Sequence, residues 1–223
     1  SRSPVNSQLM YAIRGLTNNS VSVPYGGVSP SFLMVEPSLP KNGLQIDRDP
    51  EFAYDHRYDP GQDEYGEWTA RTHLGRETRF YADIAYDRAH NYELRGNFTL
   101  YLRMGEKHPT TNLTMGNDPN RDMQTINGYL VKKTVHPNSY FPNNSISAGR
   151  IDWAWPLVRM TELYLNYAEA YVEYYGTLGG LALQYMDDIR DRVGVPRIDD
   201  AWKGIAGKDY REIIRRERTI ELM

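Results

Sequence analysis

Between Met160 and Met223 apolar residues recur every three or four positions in three successive runs, which restricts this stretch to amphipathic helices. In the first run Met160, Leu163, Tyr164, Tyr167, Ala168, Tyr171, Val172 and Tyr175 share one stripe. Thr161, Glu162, Asn166, Glu169 and Glu173 fall away from it. Gly176 stands where this helix should end, because a residue without Cβ takes the left-handed terminal conformation at little steric cost. The second run follows Gly179 and Gly180, with Ala182, Tyr185, Met186, Ile189 and Val193 on its apolar side, and Gly194 and Pro196 stop it. The third is predicted to begin at Asp209, whose carboxylate caps it while Glu212 reaches back to complete a capping box; Tyr210, Ile213, Ile214 and Ile220 point inward. Three short amphipathic helices cannot bury all their own apolar surface, so the period alone calls for more chain around them.

Residues 1–150 have a different texture, rich in Pro, Gly, Asn and Asp, with apolar runs that rarely last. This gives two expected domains: a loop-rich, ligand-facing lobe over 1–150 and a helical segment over 151–223 that is incomplete at its C-terminal end. Three alternating segments predict short strands: Phe80, Ala82, Ile84 and Tyr86; Phe98, Leu100, Leu102 and Met104; and Tyr129 to Val135. The first two could pair antiparallel, giving a sheet too small to set the architecture. Residues 47–68 hold eight carboxylates, two prolines and the rings of Tyr54, Tyr58, Tyr65 and Trp68, with neither period. They are read as a long ordered surface loop, a kind of segment that usually carries function.

With 18 Tyr and 4 Trp against 5 Phe, the rings are mostly of the type that joins a flat apolar face to a hydrogen-bonding edge. Wet, polar ligands such as sugars suit that chemistry. A net charge of −3 argues against nucleic acid as a partner. No apolar run of about 18 residues is present. Cysteine is absent, which removes disulfides, thiolate metal sites and cysteine nucleophiles. His56, His73, His90, His108 and His136 are scattered, without metal-ligand spacing. No nucleophile elbow, phosphate loop or dinucleotide loop occurs. Acid clustering over 47–63 would suit calcium, but its spacing matches no EF-hand. No cofactor, metal or catalytic residue is therefore expected.

The order Ala168–Ala170, Gly176, Leu181–Leu183 resembles a tetratricopeptide helix pair. A more specific resemblance lies in three helical motifs in order. Residues 155–170, WPLVRMTELYLNYAEA, resemble an R-x-x-E-x-Y-L-N-Y-A-E-A helix. Ala182-Leu183 with 188–196, DIRDRVGVP, resemble an A-L…I-N-x-I-R-x-R-A-G-x-P helix, and 213–222, IIRRERTIEL, an I-x-x-E-R-x-x-E-L helix. Upstream, PSFLMV at 30–35 with PKNGL at 40–44 resembles a P-T-x-x-L-V…K-N-G passage. RETRFYA at 76–82 is similar to R-x-P-R-F-Y-A, with Thr78 where proline is usual. Together these resemble the SusD-like (RagB/SusD) family over nearly the whole chain, as the later part of a typical member.

The resemblance implies a mainly α fold, a tetratricopeptide-like scaffold with a loop-rich lobe and a small β-sheet. It implies a non-enzymatic, surface-exposed lipoprotein of the outer membrane, held by a lipid anchor outside this segment. Such a protein captures an oligosaccharide or polysaccharide and passes it to a SusC-like TonB-dependent transporter. Arg159, Glu162, Asn166 and Glu169 are read as helix-orienting groups, and the Arg/Glu-rich last helix as a solvated or partner-packed face with a Glu212–Arg216 pair. Ligand contact is sought in the loop. Trp68, Tyr65, Tyr58 and Tyr54 could stack on sugar rings, and Arg57, Asp59, Gln62 and Asp63 could bond hydroxyls. Trp153 and Trp155 form a second candidate pair, with Trp155 read as core. Two alternatives remain: a helical-repeat interaction module without its own ligand, or a glycoside hydrolase using pairs such as Asp63/Glu64 or Asp187/Asp188.

Overall fold

The computed structural model describes residues 29–89, 99–107, 109, 125, 127–133 and 156–223. They group into two units that interleave along the chain. One contains 29–31, 60–70 and the described parts of 82–133; the other contains 32–59, 71–81 and 156–223.

The second unit is helical. Its principal elements are α3 (Met160–Tyr175), α4 (Gly180–Val193) and α6 (Tyr210–Leu222), with short α1 (Phe32–Val35) and α5 (Ile198–Ala201); α2 (Thr78–Asp83) begins in this unit. α3 packs against both α4 and α6. Leu165, Ala168 and Val172 of α3 meet Ala182, Met186 and Ile189 of α4 and Ile213 and Ile214 of α6, with Ile198 and Trp202 closing the core. Gly176 ends α3 at φ +70°, its N–H donating to Val172 O at 2.8 Å. The Asp209 carboxylate caps α6, accepting from the N–H groups of Arg211 and Glu212 at 2.9 and 3.4 Å. The expected capping box is half made, because the Glu212 carboxylate turns to Arg216, 3.4 Å away.

The stripe expected on α3 is rotated. Met160, Leu163, Tyr167 and Tyr175 are exposed, whereas Leu165, which stood outside the stripe, is fully buried. α3 carries apolar residues over more than one neighbour's width, and only the positions of α4 and α6 select which are covered. Tyr164 sits at the margin, its ring stacked on Tyr185 with centroids 4.2 Å apart.

α6 also departs from expectation. Its face is not simply solvated: Glu217 and Glu221 are buried beside Ile213 and Ile220. Arg79, at the start of α2, holds both. Its Nη2 lies 2.6 Å from Glu217 and from Glu77, and its Nη1 donates to Glu221 at 3.1 Å. Glu221 further pairs with Arg192 at 2.6 Å and Arg159 at 3.1 Å. Three carboxylates thus face three guanidinium groups, the balance a buried ionic cluster needs. On the outer side, Arg211 donates to Glu173 at 3.0 Å and Arg218 to Asn166 at 2.5 Å, so basic groups of α6 bridge back to α3. Arg159 and Asn166 are therefore helix-orienting groups, as expected.

The other quoted motifs also have packing roles. Arg76 is buried and its Nη2 donates to the carbonyls of Val35 and Glu36 at 3.0 and 3.2 Å. Thr78 occupies the first position of α2, where a proline would fit because that N–H has no helical partner. Here the Thr78 hydroxyl instead donates to Val193 O at 2.9 Å. Gly43 adopts φ +75°, and an added Cβ would collide with the Arg190 guanidinium. Arg190, itself buried, donates to Gly43 O and, at 2.8 Å, to Pro196 O.

In the first unit, β1 (Pro60–Gln62) pairs antiparallel with β2 (Trp68–Ala70), and β3 (Ile84–Ala85) with β4 (Leu130–Val131). The expected strand over Phe80–Tyr86 is mostly helix: only Ile84 and Ala85 are extended. Adjacent Arg79 and Phe80 are both buried, which a strand with one covered face cannot achieve. β3 pairs with the third alternating segment rather than the second. The second meets the chain just after β3, where Arg88 N–H donates to Leu100 O at 2.7 Å and Leu100 N–H to Ala89 O at 3.0 Å. The 47–68 segment is not one continuous loop: it holds a 3-10 turn at Tyr54–His56 and runs into the β1–β2 hairpin. Phe98, Trp153 and Trp155 lie outside the described residues.

Candidate functional site

The β1–β2 hairpin presents the most exposed rings of the eight candidates. Its register places Gln62 opposite Trp68 and Gly61 opposite Thr69. Directly opposed residues share a face. Thr69 is buried on one side, and Gln62 and Trp68 are exposed on the other. The five-residue turn is built by Asp63, whose Oδ1 accepts from the N–H groups of Tyr65 and Glu67, each at 2.9 Å. Gln62 Nε2 donates to Gly66 O at 2.8 Å, leaving its carbonyl oxygen pointing away from that bond. Tyr65, at the tip, is 60% exposed, and Trp68 is 56% exposed. The hairpin thus offers an indole face, a phenol and an amide edge, while Asp63 serves the turn itself.

The remaining four candidates belong to the other unit and form a more closed arrangement. The Arg57 guanidinium lies over the rings of Tyr54 and Tyr58, 4.1 and 4.6 Å from their centroids. Arg57 Nη1 donates to Tyr54 O at 3.0 Å, and its Nε is 3.5 Å from Glu36 Oε1. The Tyr58 hydroxyl donates to the same Glu36 oxygen at 2.7 Å. Burial, then the Glu36 hydrogen bond, pushes the Tyr58 pKa up, which keeps the hydroxyl a donor. Asp59 is 2.8 Å from His56 Nδ1. One face of each tyrosine is occupied by Arg57, so their capacity to stack on a ligand is lower than that of Trp68. The structure brings Tyr54, Arg57 and Tyr58 together, and separately Gln62 and Trp68.

Sequence reasoning passed over Arg103, whose Nη2 donates to Trp68 O at 2.8 Å. An arginine inside an alternating segment carries no signal that it folds against a tryptophan 35 residues earlier. Within the helical unit, the cavity lined by Leu39, Gly43, Gln45, Arg190 and Trp202 has room for about one water, far less than a sugar. Among the described residues no group of three His, Asp or Glu is placed to hold a metal ion. Nor is any helix there long and apolar enough to cross a membrane.

A helical unit tied by its motif arginines, with short antiparallel pairs alongside in the chain, defines a SusD-like helical-repeat fold. The sequence model of the SusD family matches residues 4–223, and the chain belongs to that family. Among solved structures, the protein BT4246 is similar at 23% identity and a TM-score of 0.68, over 90% of this chain and 34% of its own. A SusD-like protein from Bacteroides fragilis matches at 24% identity and TM-score 0.55, over 89% of this chain and 35% of its own. A SusD-like carbohydrate-binding protein from the same species matches at 23% and 0.52, over 86% of this chain and 32% of its own. The chain thus spans about a third of the length of these structures. No curated protein matches.

Proposed function

We propose that this chain is part of a non-enzymatic, glycan-capturing protein of the outer cell surface, with the β1–β2 hairpin as a contact region. The supporting observation is the exposed Trp68 indole, placed on one hairpin face with Gln62 and close in sequence to exposed Tyr65. A half-exposed indole costs the folded chain apolar contact with water; covering it with the C–H face of a sugar recovers part of that. Of the other candidates, Tyr54, Tyr58, Arg57 and Asp59 belong to the helical unit and are proposed as a separate polar contact region. Asp63 would act by shaping the turn.

The bound oligosaccharide would then pass to a SusC-like TonB-dependent transporter, with a lipid anchor outside this segment holding the protein to the membrane. Family membership and the carbohydrate-binding relative support this reading. Calorimetry of the full-length protein against hexasaccharides of glucose, xylose, mannose and galacturonate tests it. Binding to at least one, weakened about tenfold or more by Trp68→Ala, is the expected result. Silence across the set, or hydrolysis of the sugar, would overturn it.

A further inference from the structure

The hairpin carrying Trp68 is not held by its own short strands alone. Each strand has only three residues, and such a ribbon is marginal by itself. A polar cluster centred on Asp87 ties it down. The Thr69 hydroxyl donates to Asp87 O at 2.6 Å. The Asp87 carboxylate, 13% exposed, accepts from Leu102 N–H at 2.9 Å and Arg88 Nη1 at 3.0 Å through Oδ1, and from Arg103 Nε at 2.7 Å through Oδ2. Arg103 then reaches the hairpin directly, its Nη2 donating to Trp68 O at 2.8 Å. Arg88 is in turn clamped by Glu106 at 2.5 Å and lies 4.1 Å above the Tyr101 ring.

Arg103 differs from Arg88. Its side chain is 54% exposed, yet it is fixed at two points, Nε on Asp87 and Nη2 on the carbonyl of the residue bearing the indole. A guanidinium has five N–H donors in one rigid plane, so two bonds leave the orientation of the remaining donors set. A donor fixed before the ligand arrives loses little side-chain freedom on binding, which is the main cost a flexible surface arginine would incur.

We propose that Arg103 is a ligand-contacting residue beside Trp68, donating to sugar hydroxyl oxygens, and that Asp87 is the positioning residue that aims it. This rests on the glycan-capture reading above. Trp68 supplies a stacking face that tolerates many sugars, whereas Arg103 fixes which edge of the sugar turns toward the protein. The ligand class is an oligosaccharide with neighbouring hydroxyl oxygens free to accept.

The test uses the full-length protein and whichever hexasaccharide of the glucose, xylose, mannose and galacturonate set binds it. Arg103→Ala should weaken binding about tenfold, the loss of one charge-assisted hydrogen bond. Asp87→Asn keeps the shape of the acid but removes its charge, and should weaken binding about threefold to tenfold by loosening Arg103. Arg103→Lys should not restore affinity, because a single ammonium nitrogen lacks the rigid planar fork whose separate Nε and Nη2 reach Asp87 and the Trp68 carbonyl while aiming the remaining donors.

The readout that a merely structural role would not move is a set of singly deoxygenated versions of the same sugar. One of them should bind the wild type as weakly as the parent sugar binds Arg103→Ala, and should lose nothing further in that variant. Parent-like affinity in Arg103→Ala, or equal losses for every deoxy sugar in wild type and variant, overturns the proposal. If no sugar binds the wild type, the capture reading itself fails. If a sugar binds through Trp68 and ignores Arg103, only this inference fails.

Discussion

The Arg79 cluster and the Trp68 hairpin use the same residue types for opposite ends. Around Arg79, the carboxylates of Glu77, Glu217 and Glu221 are buried, and every charge is committed to another part of the fold. On the hairpin, the rings of Trp68 and Tyr65 stand in solvent, and polar groups such as Asp63 and Arg103 hold backbone in place around them. The difference teaches that burial, not composition, decides whether an arginine or an aromatic stabilises the fold or remains available to a ligand. The rings of α3 and α4 make the same point, since half-buried Tyr164 has one face taken up by Tyr185.

Breaking the buried side should cost the most. Arg79→Ala leaves three buried carboxylates short of a cation and should lower unfolding free energy by about 3–5 kcal/mol, measured by denaturant titration. If the loss is below about 1 kcal/mol, the contrast with the hairpin collapses. Gly43→Ala comes next, at about 1–3 kcal/mol, because the added Cβ meets Arg190 on a left-handed backbone. Asp209→Ala should cost about 1 kcal/mol through loss of the α6 cap. Trp68→Ala should change stability least, within about 0.5 kcal/mol, while removing most sugar affinity. A large stability loss there would mean that the indole is part of the fold after all.

The pH response sharpens the same contrast. Burial pushes the Glu77 pKa up, more than Arg79 pulls it down. For Glu221 burial also pushes up, but hydrogen bonding and charge from Arg192, then Arg79, outweigh it and hold the pKa below its ordinary value. The signs therefore oppose. Glu77 costs stability while ionised, and that cost fades as pH falls from above its raised pKa toward the ordinary glutamate value of about 4.3. Glu221 contributes stability above that ordinary value and loses it as pH falls through its depressed pKa. Thermal unfolding against pH should flatten on the upper side in Glu77→Gln and on the lower side in Glu221→Gln. Identical profiles in the two variants would show that the carboxylates do not titrate separately.

Much of the fold was legible in particular residues. Gly176, Gly194 and Asp209 bound helices where their chemistry said they should, because end signals act through neighbouring backbone atoms. Ala182, Met186 and Ile189 were readable as core for the same local reason: their spacing matches the helical period. The α3 stripe was misplaced by part of a turn, because an unusually apolar helix offers several faces and its neighbours choose one. The alternation over Phe80–Tyr86 matches a strand, yet the segment is mostly helix, since four alternating residues also span a helical turn and its exit. At the site, Trp68 and Tyr65 were visible by type, but the separate grouping of Tyr54, Arg57 and Tyr58 was not.

The sequence by itself determined the helical character of residues 160–222, the ends of those helices and the family to which the chain belongs. Each depends on interactions within a few residues or on a motif that survives as a string. Only the tertiary structure decided that Glu217 and Glu221 are buried, that Gly43 makes room for Arg190, and that Arg103 lies against Trp68. Those pairs are tens of residues apart or more, and side-chain chemistry fixes what a group can bond but not which distant group the folded backbone will bring within 3 Å of it.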